Sequence, residues 1–250
     1  MLRLIAALQP NVLAIALALL LGCGSSNLAS AAGDEICNLN ADQALGLENY
    51  PVAIALHQQI LQAHNDNALA HYHLGFAYSM TGRTSDEINE YLSAVRLGLH
   101  EWDLFLNLGL AYLSQNGLPK AIQSLQTAVL LGPDHSESHF NLALAYERND
   151  QLSEALREIA TSVNLAPKDP AAHNTKAIIC VETGNPTCAR DEWTYLLRIA
   201  PDYTPARANL AILSRSHMTG AALDSISLGR ENGEFRRTDA DFSTLAMKRR

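Results

Sequence analysis

Hydrophobic and polar positions along the chain recur with a fixed interval of 34 residues. The string HYHLGFAY at 71–78 returns as FLNLGLAY at 105–112 and again as HFNLALAY at 139–146. Within each string, apolar residues three and four apart share one face of a helix. Copies at constant spacing are typical of stacked structural units rather than of an active site. The pattern therefore predicts an array of helical repeats.

The boundaries of the units follow from positions that keep their character in successive copies. Each block has positions 1 to 34. Position 8 is small in every block, and position 20 is small except for Glu87, so two helices of one block can approach closely. Turn-prone pairs such as NG at 116–117 fall midway between these helices. Proline at position 32 ends the second helix in three blocks. This spacing predicts a repeat domain over residues 34–215, with blocks that begin at Asp34, Ala68, Trp102, Ser136 and Pro170 and a capping helix at 204–215.

The arrangement resembles the tetratricopeptide repeat (TPR), whose pattern asks for large, small, aromatic and proline residues at fixed positions. The first block departs most from it, with Asn40 at position 7 and Ala44 at position 11, so we expect its first helix to be poorly formed. The resemblance implies an all-α superhelical solenoid of about five helix-turn-helix repeats with a C-terminal capping helix. The third block carries the pattern with Phe105, Leu108, Gly109, Tyr112, Ala121, Leu125, Ala128 and Pro133 at positions 4, 7, 8, 11, 20, 24, 27 and 32.

The N-terminus resembles a bacterial lipoprotein signal. Arg3 precedes a short apolar run at 11–22, which cannot cross a bilayer core because that takes about 20 residues. LLGC at 20–23 resembles the lipobox, which implies a signal peptide at 1–22 and a lipid on Cys23. An ordinary secretory signal with a chance cysteine is the alternative. Residues 23–33 are small and polar and predict a flexible tether. Gly24 resembles outer-membrane sorting, which implies a lipid-anchored protein of the bacterial envelope that faces the periplasm.

Charge separates the body of the chain from its end. Residues 23–213 carry 10 Lys and Arg against 21 Asp and Glu, and the whole chain has a formal charge of −8. An acidic body argues against a nucleic-acid partner, because no basic surface is available to displace the counterions of phosphate. Residues 216–250 lose the repeat pattern and are polar and mixed in charge, so we expect disorder or folding on a partner there.

The first helix of each repeat has a face that its packing positions leave free. Positions 4, 7, 8 and 11 form the packing face, and positions 5, 6 and 9 lie opposite. In TPR proteins the opposite face lines a concave groove, so the resemblance implies a protein or peptide partner there. Self-closure of the groove or a homodimer is the alternative. The expected groove residues are Tyr72, His73, Phe76, Asn107, Leu110, Phe140, Asn141, Leu144, Asn174, Ile178 and Asn209.

Position 6 carries a hydrogen-bonding side chain in every block from the second onward. Asparagine offers both a donor and an acceptor, so it can hold the backbone of an extended peptide whatever the peptide's sequence. In a peptide-binding TPR superhelix, asparagines at this position form a ladder along the peptide. The alternative is that a polar residue is simply tolerated at a solvated position. The residues concerned are His73, Asn107, Asn141, Thr175 and Asn209.

Candidate chemistry is sparse. His71, His139 and His173 stand at position 4, where the TPR pattern places a large packing residue, so we expect neither a metal site nor a cofactor. The chain has no HExxH, GxxxxGK[ST] or GxSxG motif, which argues against an enzyme. Cys180 and Cys188 flank one interhelical turn, and antiparallel helices can bring them within bridging range. A disulfide and two buried free thiols are both compatible with this spacing.

These features together predict a membrane-anchored scaffold that presents a helical groove to another protein and catalyses no reaction. The layout of lipobox and repeats is similar to that of pilus-assembly lipoproteins and of envelope adaptors. It implies a role in the assembly of an envelope, pilus or secretion complex. The alternatives are a carrier or sensor of a non-protein ligand and an accessory subunit of a larger enzyme.

Overall fold

The computed structural model describes residues 39–215, which form eleven α-helices and no strand. The expected signal peptide, Cys23, the tether and the C-terminal tail at 216–250 lie outside the described residues, as do residues 34–38 of the first block. The helices are α1 Leu39–Gly46, α2 Tyr50–Ala63, α3 Ala68–Met80, α4 Thr84–Arg96, α5 Trp102–Ser114, α6 Leu118–Leu131, α7 Ser136–Arg148, α8 Leu152–Leu165, α9 Pro170–Glu182, α10 Pro186–Ile199 and α11 Thr204–Arg215.

The helices pair into hairpins that match the blocks read from the sequence. Each of α3, α5, α7 and α9 packs more extensively against the helix after it than against the helix before it. Five hairpins, α1–α2 to α9–α10, therefore precede the single helix α11, and the prediction of an all-α array of helical repeats is confirmed. In the first repeat, α1 is formed from Leu39 to Gly46 despite its weak match to the pattern. The later first helices begin at Ala68, Trp102, Ser136, Pro170 and Thr204, which are the first residues of the blocks.

The turn inside every repeat places position 15 in the left-handed backbone region. Glycine adopts this conformation without cost, and asparagine and aspartate tolerate it through short side chains that hydrogen-bond locally. Glutamate has neither advantage, so Glu48 strains the turn of the first repeat. The φ values are 58° for Glu48, 72° for Gly82, 58° for Asn116, 60° for Asp150 and 72° for Gly184.

Small residues at position 8 set the distance between the two helices of one repeat. A Cβ atom at Gly109 would lie 2.6 Å from Cγ of Leu125, and one at Gly75 would lie 2.6 Å from the ring of Tyr91. Such distances are far inside van der Waals contact. Glycine at these two positions therefore leaves room for the side chains of Leu125 and Tyr91 in the placement that they have here.

Glu87 breaks the rule for small residues at position 20. The other four repeats place Ala53, Ala121, Ala155 and Ala189 there with no exposed area. Glu87 is 5% exposed. Burial raises the pKa of its carboxyl to about 7, although a hydrogen bond with Ser79 has the opposite, smaller effect and lowers the pKa. The repeat therefore contains a buried acid whose carboxyl is only partly ionised at neutral pH.

Histidine at position 4 links three repeats to the repeat before. Nδ1 of His139 lies 2.7 Å from the Glu158 carboxylate on the second helix of the same repeat, and Nε2 lies 3.0 Å from the Pro133 carbonyl oxygen of the preceding repeat. Both ring nitrogens thus face acceptors, a geometry that the imidazolium satisfies best. The pKa of His139 is accordingly raised, chiefly by the hydrogen bond with Glu158. The same arrangement joins His71 to Glu90 and the Asn65 carbonyl, and His173 to Glu192 and the Pro167 carbonyl.

In this arrangement the side chain at position 4 hydrogen-bonds to the backbone carbonyl at position 32 of the preceding repeat. We call this hydrogen bond the position-4 link. The capping helix has it too, because Nη2 of Arg207 donates to the Pro201 carbonyl at 2.5 Å. The third repeat carries Phe105 at position 4 and Ser124 at position 23. A phenyl ring has no donor, so the joint between repeats two and three lacks the position-4 link.

Candidate functional site

The first helices form one wall of the array. Helix α1 contacts α3, α3 contacts α5 and α5 contacts α7, whereas the described second helices of neighbouring repeats contact each other less. The first helices therefore lie closer together and occupy the concave side. We define the inner wall as positions 2, 5, 6, 9, 12 and 13 of these helices, which turn away from the packing face. All eleven expected groove residues occupy it.

The apolar side chains in the middle of the inner wall are buried, contrary to the exposure expected from the sequence. Phe140, Leu144 and Ile178 are 5%, 3% and 7% exposed. Phe140 and Leu144 share a core cluster with Leu106, and Leu110 packs against that cluster. Because neighbouring first helices contact each other, the side chains of one repeat cover those of the next. A helical wheel does not show this burial, because it treats each helix alone. Partner binding by these residues stays a prediction.

The asparagines of position 6 are buried as well. Asn107, Asn141 and Asn209 are 6%, 0% and 2% exposed. Nδ2 of Asn141 donates to the Glu137 carbonyl one turn earlier, at 2.8 Å. Its Oδ1, like that of Asn209, is buried without a hydrogen-bond partner among the described residues. These amides are therefore not presented to a peptide backbone in this conformation, and the exposure that the ladder requires is absent at Asn141 and Asn209.

Five of the eleven expected groove residues keep accessible surface. Tyr72, His73, Phe76 and Leu110 are half-buried, all in repeats two and three. Asn174 in the fifth repeat is also half-buried, but its Oδ1 accepts a hydrogen bond from Nε1 of Trp193 at 3.0 Å. We call Tyr72, Phe76 and Leu110 the apolar patch.

Carboxylates lie beside the apolar patch. The Tyr72 hydroxyl donates to Oδ2 of Asp103 at 2.8 Å and accepts from Nδ2 of Asn107 at 3.3 Å. This network ties α3 to α5 across the joint between repeats two and three. Among the side chains that the structure describes, acidic residues also outnumber basic ones along the inner wall, with Asp42, Asp103, Glu137, Glu147 and Glu182 against Arg148. A segment bound there would meet a negative surface.

Three residues that lie far apart in the sequence meet at the N-terminal end of the inner wall. Nδ1 of His73 on α3 lies 3.0 Å from Oδ1 of Asp42 on α1, and Nε2 of His57 on α2 lies 3.7 Å from the same oxygen. Burial lowers the pKa of both histidines. The signal in the sequence was His57 itself. It occupies position 24, where the other repeats carry Tyr91, Leu125, Ile159 and Trp193.

The two cysteines of the fifth repeat are joined across its turn. Cys180 near the end of α9 and Cys188 near the start of α10 form a disulfide, with Cα atoms 5.8 Å apart. Cys180 is fully buried. The bond closes a short loop around Gly184, the left-handed residue of that turn.

Among the helices of residues 39–215, none combines the length and the apolar character needed to cross a bilayer.

Solved structures share this arrangement of helical hairpins. YrrB, a TPR protein with an unusual peptide-binding site, matches with a TM-score of 0.64 and 23% identity, over 70% of this chain and 91% of its own. MamA from Desulfovibrio magneticus RS-1 matches with a TM-score of 0.63 and 16% identity, over 69% of this chain and 99% of its own. The APC/C hetero-tetramer Cut9–Hcn1 matches with a TM-score of 0.58 and 19% identity, over 69% of this chain and 35% of its own. At these identities the likeness shows the fold alone.

A sequence match supports the same family. A search of the curated proteins gave no match to this chain. The family model described as "Tetratricopeptide repeat" matches residues 38–98 and 106–170, about half of the chain. With the repeating hairpins and their left-handed turns, this match establishes that the chain belongs to the tetratricopeptide repeat family.

Proposed function

We propose that this chain is a scaffold that holds a segment of another protein against the inner wall of repeats two and three. The apolar patch carries the proposal. Tyr72, Phe76 and Leu110 keep accessible surface, whereas the apolar side chains at the same positions of repeats four and five, Phe140, Leu144 and Ile178, are buried. Accessible apolar side chains beside polar groups are typical of protein-binding surfaces.

The charge of the inner wall favours a particular class of partner. Asp42 and Asp103 flank the apolar patch, and Glu137 follows on the next first helix. Complementary charge steers association and fixes orientation, so a segment with apolar anchors and nearby Lys or Arg fits this surface best. Since Asn141 and Asn209 are buried, the side chains of the partner supply more of the recognition than its backbone does.

A peptide-display experiment on the full chain tests the scaffold function. We expect enrichment of segments that pair aliphatic or aromatic residues with Lys or Arg. The double variant Phe76→Ala, Leu110→Ala should bind an enriched peptide at least about tenfold more weakly, since each change removes an apolar anchor. The control Leu130→Ala, Leu131→Ala truncates two exposed leucines on the second helix α6. Equal binding by both double variants, or no enriched peptide, would contradict the proposal, and enrichment of a non-protein ligand in a parallel screen would favour a carrier.

We further propose that the protein acts at a membrane of the bacterial envelope, anchored through Cys23, in the assembly of an envelope, pilus or secretion complex. The apolar run followed by LLGC supports the anchor, and a diacylated residue would hold the protein stably. Cys23→Ser should move the protein from the membrane to the soluble fraction, and the variant should no longer incorporate radiolabelled palmitate. Unchanged fractionation would rule the anchor out, while peptide binding would still report on the scaffold function.

A further inference from the structure

Helices α1, α2 and α3 bring one carboxylate and two imidazoles to a single point. The nearest ligand atoms of Asp42, His57 and His73 all lie within 4.8 Å of one another. A tetrahedral zinc ion with bonds of about 2.0–2.2 Å separates its ligand atoms by about 3.3–3.5 Å. The two distances to Oδ1 of Asp42, 3.0 Å from His73 and 3.7 Å from His57, fall on either side of that separation. Small side-chain movements would therefore complete such a geometry.

The orientation of His57 is fixed by the backbone of its own helix. Nδ1 of His57 lies 2.9 Å from the Ala53 carbonyl oxygen. A carbonyl only accepts, so Nδ1 carries the proton, and in the neutral ring Nε2 holds a lone pair. Metal-binding histidines in proteins commonly donate their other ring N–H to a carbonyl in this way.

Nε2 of His57 lies near the carboxylate of Asp42. His57 has a side chain 1% exposed, and Nε2 is beyond hydrogen-bonding distance from Oδ1 of Asp42 at 3.7 Å. The Nε2 lone pair and the Asp42 carboxylate are both electron-rich, so a cation placed between them is attracted to both. A metal ion can be bound by both groups while the His57 ring stays neutral.

We propose that Asp42, His57 and His73 form a binding site for a divalent transition metal ion of the zinc class. Two neutral imidazoles and one carboxylate suit zinc and its neighbours, whereas Mg²⁺ and Ca²⁺ prefer oxygen ligands alone. His73 contributes Nδ1 after its proton moves to Nε2, so binding needs no change in its charge. The side chains of His73 and Asp42 are 24% and 36% exposed, so the fourth position opens to solvent and takes a water molecule.

Metal titration of the purified full chain tests this site. The protein is prepared in detergent without a histidine tag, stripped with chelator and titrated with ZnCl₂ by calorimetry and with CoCl₂ by visible spectroscopy. We expect saturable binding of one ion per chain and the intense visible absorption of four-coordinate Co²⁺. Asp42→Asn, His57→Gln and His73→Gln should each weaken Zn²⁺ binding by at least about 100-fold, because changes to outer-shell partners alone cost 10–100-fold.

The matched control is His64→Gln. His64 is an exposed histidine at the C-terminal end of α2, and its replacement should leave Zn²⁺ binding unchanged. If His57→Gln fails to fold by circular dichroism, the two partly exposed ligands Asp42 and His73 decide the result. Absence of one-to-one binding in the wild type overturns the site. Wild-type affinity in both Asp42→Asn and His73→Gln does so equally.

Discussion

The buried carboxyl of Glu87 allows the packing of the second repeat to be tested by pH. The pKa of Glu87 is raised from 4.5 to about 7, mainly by burial. Between pH 4.5 and about pH 7, the native state therefore keeps a proton on Glu87 that the unfolded state has already released. Stability falls as pH rises through this interval, because folding must either retain the proton or bury the charge. Glu87→Gln replaces the acid by a neutral side chain of the same shape and removes this dependence.

The size of the effect follows from the two proton affinities. Each factor of ten in proton affinity corresponds to about 1.4 kcal/mol. A pKa raised from 4.5 to about 7 thus makes folding about 3 kcal/mol less favourable above pH 7 than below pH 4.5. We expect Glu87→Gln to match the wild type in free energy of unfolding near pH 4.5. The variant should be about 3 kcal/mol more stable near pH 8.

Urea denaturation followed by circular dichroism measures this difference at steps across the interval. Ser79→Ala serves as a second variant, because loss of its hydrogen bond should raise the pKa of Glu87 further and move the dependence to higher pH. A difference between Glu87→Gln and wild type that is the same at every pH would refute the reasoning, since it would come from packing and not from the proton.

Three further predictions concern single contacts. Glu48→Gly should raise the free energy of unfolding by about 1 kcal/mol, measured by urea denaturation, because Glu48 has φ 58°; Gly82→Ala, at the equivalent turn position, should lower it. His139→Gln should lower the urea midpoint, and the loss should be largest below pH 6.5. The raised pKa of His139 gives the wild type extra stability that is lost as pH rises through that pKa, so an equal loss at high pH would contradict this. Reduction of the Cys180–Cys188 bond should cost about 2–3 kcal/mol for a loop of this length, with thiol alkylation and mass spectrometry to confirm that the bond existed.

The local features of the fold were readable from the sequence. The starts of the later first helices follow from the interval of 34 residues, and the turns follow from residues such as Gly82 and Asn116 at position 15. These features depend on residues close in sequence, whose spacing the chain displays directly. The pairing of histidine at position 4 with glutamate at position 23 was not predicted, because the position-4 histidines were interpreted as packing residues. Its signal in the sequence is that repeat three replaces both, with Phe105 and Ser124.

The surface of the inner wall was not readable in the same way. Burial of Asn141 and Phe140 depends on how closely α5 approaches α7, which is set by packing between repeats. The meeting of Asp42, His57 and His73 likewise requires three helices to converge. Helical periodicity assigns a face to each helix, but it does not measure the distance between the helices that share a wall.

The missing position-4 link affects how the array bends. Repeats one and two lie on one side of this joint, and repeats three to five lie on the other with the capping helix. The Tyr72 hydroxyl and Asp103 span the gap on the inner wall. A bound segment that competes for either group would remove a contact across the joint that lacks the position-4 link, so binding there and the curvature of the array would be coupled. We therefore expect the array to bend more readily at this joint than at its other joints.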